Sequence, residues 1–146
     1  MTMTTTETLI YLYQVTYRTF NRNLDGISHE ESLLSPHGGS SMNWIAGHLL
    51  LVRGEILEKI GAVPEFSLEQ MKIYDRYTPG IAENPVELSR IMGLFSRTQE
   101  QLLAALSLGE RSPEVFKFVA FYSFHESYHC GQLGIMRRAL GKQGAI

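Results

Sequence analysis

The chain is expected to be all-α, a four-helix bundle with a long connection between its second and third helices. Three observations lead there. Four segments carry apolar residues at alternating steps of three and four, each segment opens on a recognisable cap, and nothing supports strands with comparable strength.

Thr4-Thr5-Thr6-Glu7 has the spacing of a capping box, and Ile10, Tyr13, Tyr17, Phe20 and Leu24 follow as one stripe down to Asp25-Gly26. A loop with Pro36 and Gly38-Gly39 separates this first helix from a serine cap at Ser40 or Ser41. The second helix carries Trp44, Ile45, His48, Val52 and Ile56 and ends near Gly61 and Pro64. Asn84-Pro85-Val86-Glu87 supplies an N-cap, a proline at the first helical position and an acid, ahead of Leu88, Ile91, Phe95, Thr98 and Leu102. That third helix stops near Gly109. Ser112-Pro113-Glu114 repeats the cap-and-proline start, and the fourth helix runs to Leu140 with Gly141 as its C-cap.

The first and last connections are short. About 24 residues lie between the second and third helices, and at ~3.3 Å per extended residue they can travel a bundle length, so a crossover is open to this chain. The tract EFSLEQMKIYDRYTPGIAEN within them reads either as a lid over one end of the bundle or as a loop packed on its surface.

A length of 146 residues with 44% hydrophobic content suits one domain over residues 1–146, able to bury a core without staples. The net charge is −2 and the densest basic stretch is the dipeptide Arg137-Arg138, which argues against nucleic acid or an anionic membrane as partner. The opening Met1-Thr2-Met3 has no signal-peptide character and no apolar run reaches membrane-spanning length. Cys130 is the only cysteine and cannot pair within the chain, so a cytoplasmic location is expected.

The chemistry concentrates in the fourth helix. On a wheel of 100° per residue, Phe118, Phe121, Tyr122, His125, His129, Gln132 and Met136 share one face. Two histidines four residues apart inside an apolar stripe point at a shared cation, because an unsatisfied buried imidazole costs roughly 1–3 kcal/mol. His125-Glu126-Ser127-Tyr128-His129 also fits the H-E-x-x-H pattern of metalloproteases. That family takes its third ligand from beyond the motif, and from Cys130 to Ile146 there is no His, Asp or Glu. The third ligand must come from upstream, from His29, His37 or His48. His29 and His37 lie among Ser, Gly and Pro, where a solvated histidine needs no metal, whereas His48 stands on the apolar face of the second helix. A carboxylate-bridged di-iron site needs a second E-x-x-H, which the chain lacks, so a mononuclear site is favoured.

Together, NWIAGHLL at 43–50 and HESYHCGQLGIMRRALG at 125–141 resemble the DinB/YfiT-like superfamily over nearly the whole chain. The resemblance implies a four-helix bundle with a crossover between the second and third helices, often in a homodimer. It also implies a divalent transition metal, zinc or nickel foremost, on His48, His125 and His129. Members with assigned activity are metal-dependent transferases or isomerases using a low-molecular-weight thiol such as bacillithiol or mycothiol, so a small-molecule substrate follows and DNA binding does not.

Three neutral imidazoles leave the ion's charge uncompensated and a coordination position open. A thiol there ionises below its free pKa of ~8.5, and water is lowered to ~7. The expected activity is a thiol-dependent S-transferase; a metal-dependent hydrolase and a noncatalytic metal- or ligand-binding dimer stand beside it. Glu126, about 60° around the helix from His129, is either a general base or a surface carboxylate. Trp44, Tyr122 and Gln132 are expected at the pocket, with Tyr13 and Tyr17 as further hydroxyls or core residues. Glu55, two turns beyond His48, is a supporting or rim carboxylate. Cys130 points away from the histidine face and reads as packing. Phe124, Tyr128 and Ile135 form a second apolar line, either a dimer surface or a face packed on a neighbouring helix.

Overall fold

Three of the four long helices begin at a side-chain cap. The Thr4 hydroxyl accepts from the Glu7 amide at 3.1 Å while the Glu7 carboxylate accepts from the Thr4 amide at 2.7 Å. Helix α1 follows over Thr5–Leu24. Ser41 accepts from the Trp44 amide at 3.0 Å and opens α3, Met42–Lys59. Ser112 accepts from the Val115 amide with Pro113 at the first helical position, and α6 runs Pro113–Ala139 before Gly141 turns the chain at φ +79°. The computed structural model describes residues 2–144, and among them there are helices and turns but no strand. The all-α class is therefore observed. No helix of the described residues is long and apolar enough to cross a membrane.

Three local features depart from the sequence expectation. The loop after α1 contains a short helix, α2 (His29–Ser32), closed by a capping box of Ser28 and Glu31. His29 is thereby held, not solvated: its Nδ1 accepts from the Leu88 amide at 3.2 Å, and its Nε2 lies 3.5 Å from Glu87. The long connection contains helix α4 (Leu68–Met71) and a 3-10 turn over Lys72–Tyr74. Helix α5 begins at Leu88, not at the predicted cap Asn84, and runs to Ser107. The reason is competition for Val86. Its amide donates to the Tyr74 hydroxyl and its carbonyl accepts from Asn43 Nδ2, both at 2.8 Å, so the Asn84-Pro85-Val86 segment is fastened to α3 instead of entering the helix.

Helices α1 and α3 each pack against both α5 and α6. One half of the core gathers Phe20, Ile45, Leu50, Phe95 and Leu133, the other Leu9, Tyr13, Ile56, Leu102 and Val119. Every residue of α3 from Met42 to Gly54 is buried, because the long connection covers the side of α3 that the other helices leave open. The connection is therefore part of the core: Met71 and Tyr74 are both fully enclosed.

Glycine makes this close packing possible. A Cβ built on Gly47 would stand 2.5 Å from the Tyr74 ring, and one on Gly54 would stand 2.2 Å from Leu68. These two glycines lie seven residues apart on the same face of α3 and let the connection approach the helix backbone.

Alanine is the better helix former by ~1 kcal/mol, so the two effects oppose each other at Gly47. Tyr74 is anchored through its hydroxyl and moves away only by giving up its bonds to Asn43 and Val86, so the clash should win. Gly47→Ala is expected to cost about 1–2 kcal/mol by urea denaturation. Gly93→Ala on α5, whose Cβ meets nothing within 4 Å, should instead gain up to ~1 kcal/mol. Equal signs for the two variants would contradict the packing account.

Candidate metal centre

Helices α3 and α6 place His48, His125 and His129 together, and their ligand nitrogens all lie within 4.8 Å of one another. His48 Nε2 is 3.3 Å from His125 Nε2, and His129 Nε2 is 3.2 Å from the same atom. His48 is 3% exposed and His129 9%, while His125 is partly open to the surface. Neither His29 nor His37 joins the cluster. Of the three upstream candidates, only His48 meets the α6 pair.

The remaining ring nitrogens decide what the cluster can bind. His48 Nδ1 donates to the Tyr74 carbonyl at 2.8 Å, and His129 Nδ1 donates to Gln132 Oε1 at 2.7 Å. Each bond fixes the proton on Nδ1 and leaves Nε2 with a lone pair. His125 Nδ1 is buried without a protein partner, so the one proton of that neutral ring is free to sit on either nitrogen. Three Nε2 atoms therefore face one another with at most one proton among them. A single proton can bridge one of the two short contacts; in the other, two lone pairs meet. A cation resolves both contacts together, and three imidazoles with outer partners on two of them are a donor set suited to zinc, nickel or a similar ion.

The electrostatics agree with this proton count. Burial, followed by the neighbouring charges of His129 and His48, pushes His125 down to about 4. Burial is also the main cause lowering His48 and His129, against the hydrogen bonds to Tyr74 and Gln132 that favour their protonated forms. At neutral pH all three rings are uncharged and do not need to lose protons to bind a metal.

The supporting residues lie partly where the sequence put them. Gln132 holds His129, as described. Trp44 stacks on the His48 ring at 4.8 Å with 9° between planes and donates from Nε1 to the Thr78 hydroxyl at 3.0 Å, so it orients His48 from inside the core. The edge of Tyr122 meets His125 at 5.5 Å between ring centroids. Tyr13 and Tyr17 serve elsewhere, donating to the Val119 carbonyl at 2.7 Å and to Ser96 at 3.0 Å. Cys130 is buried and donates to the Thr16 carbonyl, a packing role as expected. Phe124, Tyr128 and Ile135 are exposed, which removes the reading that they pack on a neighbouring helix of the same chain.

Glu126 is not a surface carboxylate. It is 2% exposed and bound to Arg53, itself fully buried, with Nε to Oε2 at 2.6 Å and Nη2 to Oε1 at 2.7 Å. Thr16 also donates to Oε1, and Arg53 Nη1 donates to Gln99 Oε1 at 2.8 Å. The guanidinium lies 4.5 Å from the Phe95 centroid and 5.0 Å from that of Tyr13, joining the two halves of the core. The 60° that separates Glu126 from His129 carries it past the histidines and into this pair. Both oxygens are thus engaged away from the cluster by Arg53 and Thr16, which gives Glu126 a structural role.

Sequence reasoning missed Arg53, Tyr74 and Thr78. Arg53 had a signal, a basic residue directly after the apolar run IAGHLLLV, which calls for a counterion if it is buried. Tyr74 acts on His48 through its backbone carbonyl, and a backbone contact carries no residue-type signature.

Two outcomes follow. Glu126→Ala leaves the Arg53 guanidinium buried and unpaired and should cost about 3–5 kcal/mol in denaturant unfolding; Glu126→Gln should cost less and keep full metal stoichiometry. Loss of the metal in a folded Glu126→Gln protein would contradict its structural assignment. The second outcome concerns pH. The folded-state pKa of His125 lies below the ~6.5 of an unfolded histidine, so the unfolded chain binds more protons between those values. Stability of the metal-free protein should therefore fall as pH drops from ~6.5 toward about 4. His125→Asn should flatten part of that slope in denaturation curves taken at stepped pH.

Compared with family models, curated proteins and solved structures, the chain finds no match in any of the three.

Proposed function

We propose that this chain is a DinB-like four-helix-bundle metalloprotein. In this reading it holds one divalent transition metal on His48, His125 and His129 and acts on a small molecule as a thiol-dependent S-transferase. The observation that carries the reading is the convergence of three Nε2 atoms with at most one proton among them. The bundle designation is supported by the packing of α1 and α3 against both α5 and α6, with the long connection joining the second and third long helices. The DinB-like designation draws on NWIAGHLL and HESYHCGQLGIMRRALG, which contribute the three histidines and Gln132.

A divalent ion held on three uncharged ligands supplies Lewis acidity, lowering the pKa of a coordinated thiol or water toward neutrality. The chain's own residues orient and shield. Tyr74 and Gln132 fix two rings, Trp44 braces His48, and His125 gives the cluster its opening to solvent. Exposed Phe121, Phe124, Tyr128 and Ile135 lie along α6 beside the histidine face and support a homodimer through this helix. A cytoplasmic location fits the reducing conditions that a free thiol substrate requires.

A noncatalytic metal-binding dimer is the second reading. It is favoured by the engagement of Glu126 with Arg53, which leaves no carboxylate in the cluster among the described residues. The same observation weighs against a hydrolase, which needs a base for its water.

Metal analysis by ICP-MS on untagged protein tests the centre. Near-stoichiometric transition metal is expected in the wild type and background levels in His48→Ala, His125→Ala and His129→Ala. A wild type that takes up no divalent ion after reconstitution would sink the proposal. Loaded protein should then consume a thiol together with an electrophile; full loading without turnover across a thiol panel would favour the noncatalytic dimer.

A further inference from the structure

The outer face of α6 carries a pattern of its own. Phe121, Phe124, Tyr128, Gly131 and Ile135 follow one another at alternating steps of three and four, the spacing of a helix–helix seam, and all five are exposed. A Cβ on Gly131 would meet nothing within 4 Å, so the seam is open at its middle.

Beside that opening lies a buried acceptor without a donor. Asn23 of α1 is 1% exposed, and its Nδ2 donates to the Cys130 carbonyl at 3.0 Å, which fixes the way the carboxamide is turned. Its Oδ1 has no hydrogen-bond partner among the described residues and stands 3.5 Å from the place a Cβ on Gly134 would take. Asn23, Gly131, Gly134, Ile135 and Arg138 all border a cavity of about 160 Å³ there. That space is several times the ~30 Å³ share of one water, and a cavity of ~150 Å³ accepts a benzene ring. With a donor-seeking oxygen on its wall, the cavity fits a phenol.

A phenol is present on the same face. Tyr128 is exposed one turn before Gly131, and within its own chain its ring leans on the edge of His129 at 5.2 Å, on the side of α6 away from Asn23. We propose that the occupant of the cavity is Tyr128 of a second copy of this chain. A twofold axis at Gly131, with the two α6 helices antiparallel, makes the face self-complementary. Gly131 then meets its own counterpart, Tyr128 lies opposite Gly134, and Phe124 lies opposite Arg138. The glycine pair lets the helices approach closely, the Tyr128 hydroxyl donates to Asn23 Oδ1, and the Phe124 ring receives the Arg138 guanidinium on its face. This rests on the homodimer of the proposed function and gives it a register; it does not depend on the metal.

Sedimentation velocity on the full chain across a concentration series, metal-free and zinc-loaded, provides the test. The wild type should dimerise in both forms. Gly131→Gln should leave the chain folded, since its side chain meets nothing within its own chain, and should shift it to monomer. Tyr128→Phe removes two donors per dimer and should weaken the dimer about tenfold or more. In an Asn23→Ala background the same Tyr128→Phe change should have little further effect; if Asn23→Ala does not fold, the two surface variants decide the matter. A monomeric wild type, a dimer constant unmoved by Gly131→Gln or by Tyr128→Phe, or a Tyr128→Phe effect undiminished in folded Asn23→Ala overturns the inference. A dimer that persists in protein unable to take up zinc would sink the metal centre and leave this interface standing.

Discussion

Tyr74 lays its ring against the bare backbone at Gly47, donates its hydroxyl to Asn43 at 2.8 Å, accepts from the Val86 amide and offers its carbonyl to His48. Its burial is complete. Those contacts determine the path of the long connection, the late start of α5 and the tautomer of His48. A side chain on Gly47 would displace the ring, and with it the carbonyl that keeps the His48 proton on Nδ1. The connection is thus a wall of the site, and the packing of α3 and the chemistry of the histidines depend on the same contact.

Two of the polar groupings in the apolar interior follow opposite logic. The Arg53–Glu126 pair is closed: both charges are paired and bonded, and Thr16 and Gln99 take up remaining donor and acceptor capacity. Such a pair contributes little net stability but is costly to break from one side. The histidine cluster is open at its centre, since its outer nitrogens are satisfied on two rings while its inner ones are short of protons. Burial keeps all three rings neutral, which makes the cluster poor at holding protons and well suited to holding a cation.

Much of this was legible in the chain. Caps such as Thr4-x-x-Glu7, Ser41 and Ser112-Pro113 are local, so they mark the long helices without knowledge of their neighbours. Spacing of four placed His125 and His129 together, and the apolar surroundings of His48 turned it inward. What stayed hidden was non-local. Asn84-Pro85 has the form of a helix start, yet tertiary bonds to Val86 override it. Glu126 sits in a motif that suggests a base, and only the placement of Arg53, 73 residues away in sequence, reveals its partner. Tyr74 lies in a tract without periodicity, where residue type alone says nothing about position.

X-ray absorption at the zinc edge of reconstituted protein addresses the central claim most directly. Three imidazole nitrogens at ~2.0–2.1 Å, with the multiple-scattering pattern of histidine rings, are the predicted first shell. A shell with fewer than three imidazoles, or one containing sulfur from Cys130, would contradict the assignment of His48, His125 and His129 as the ligands.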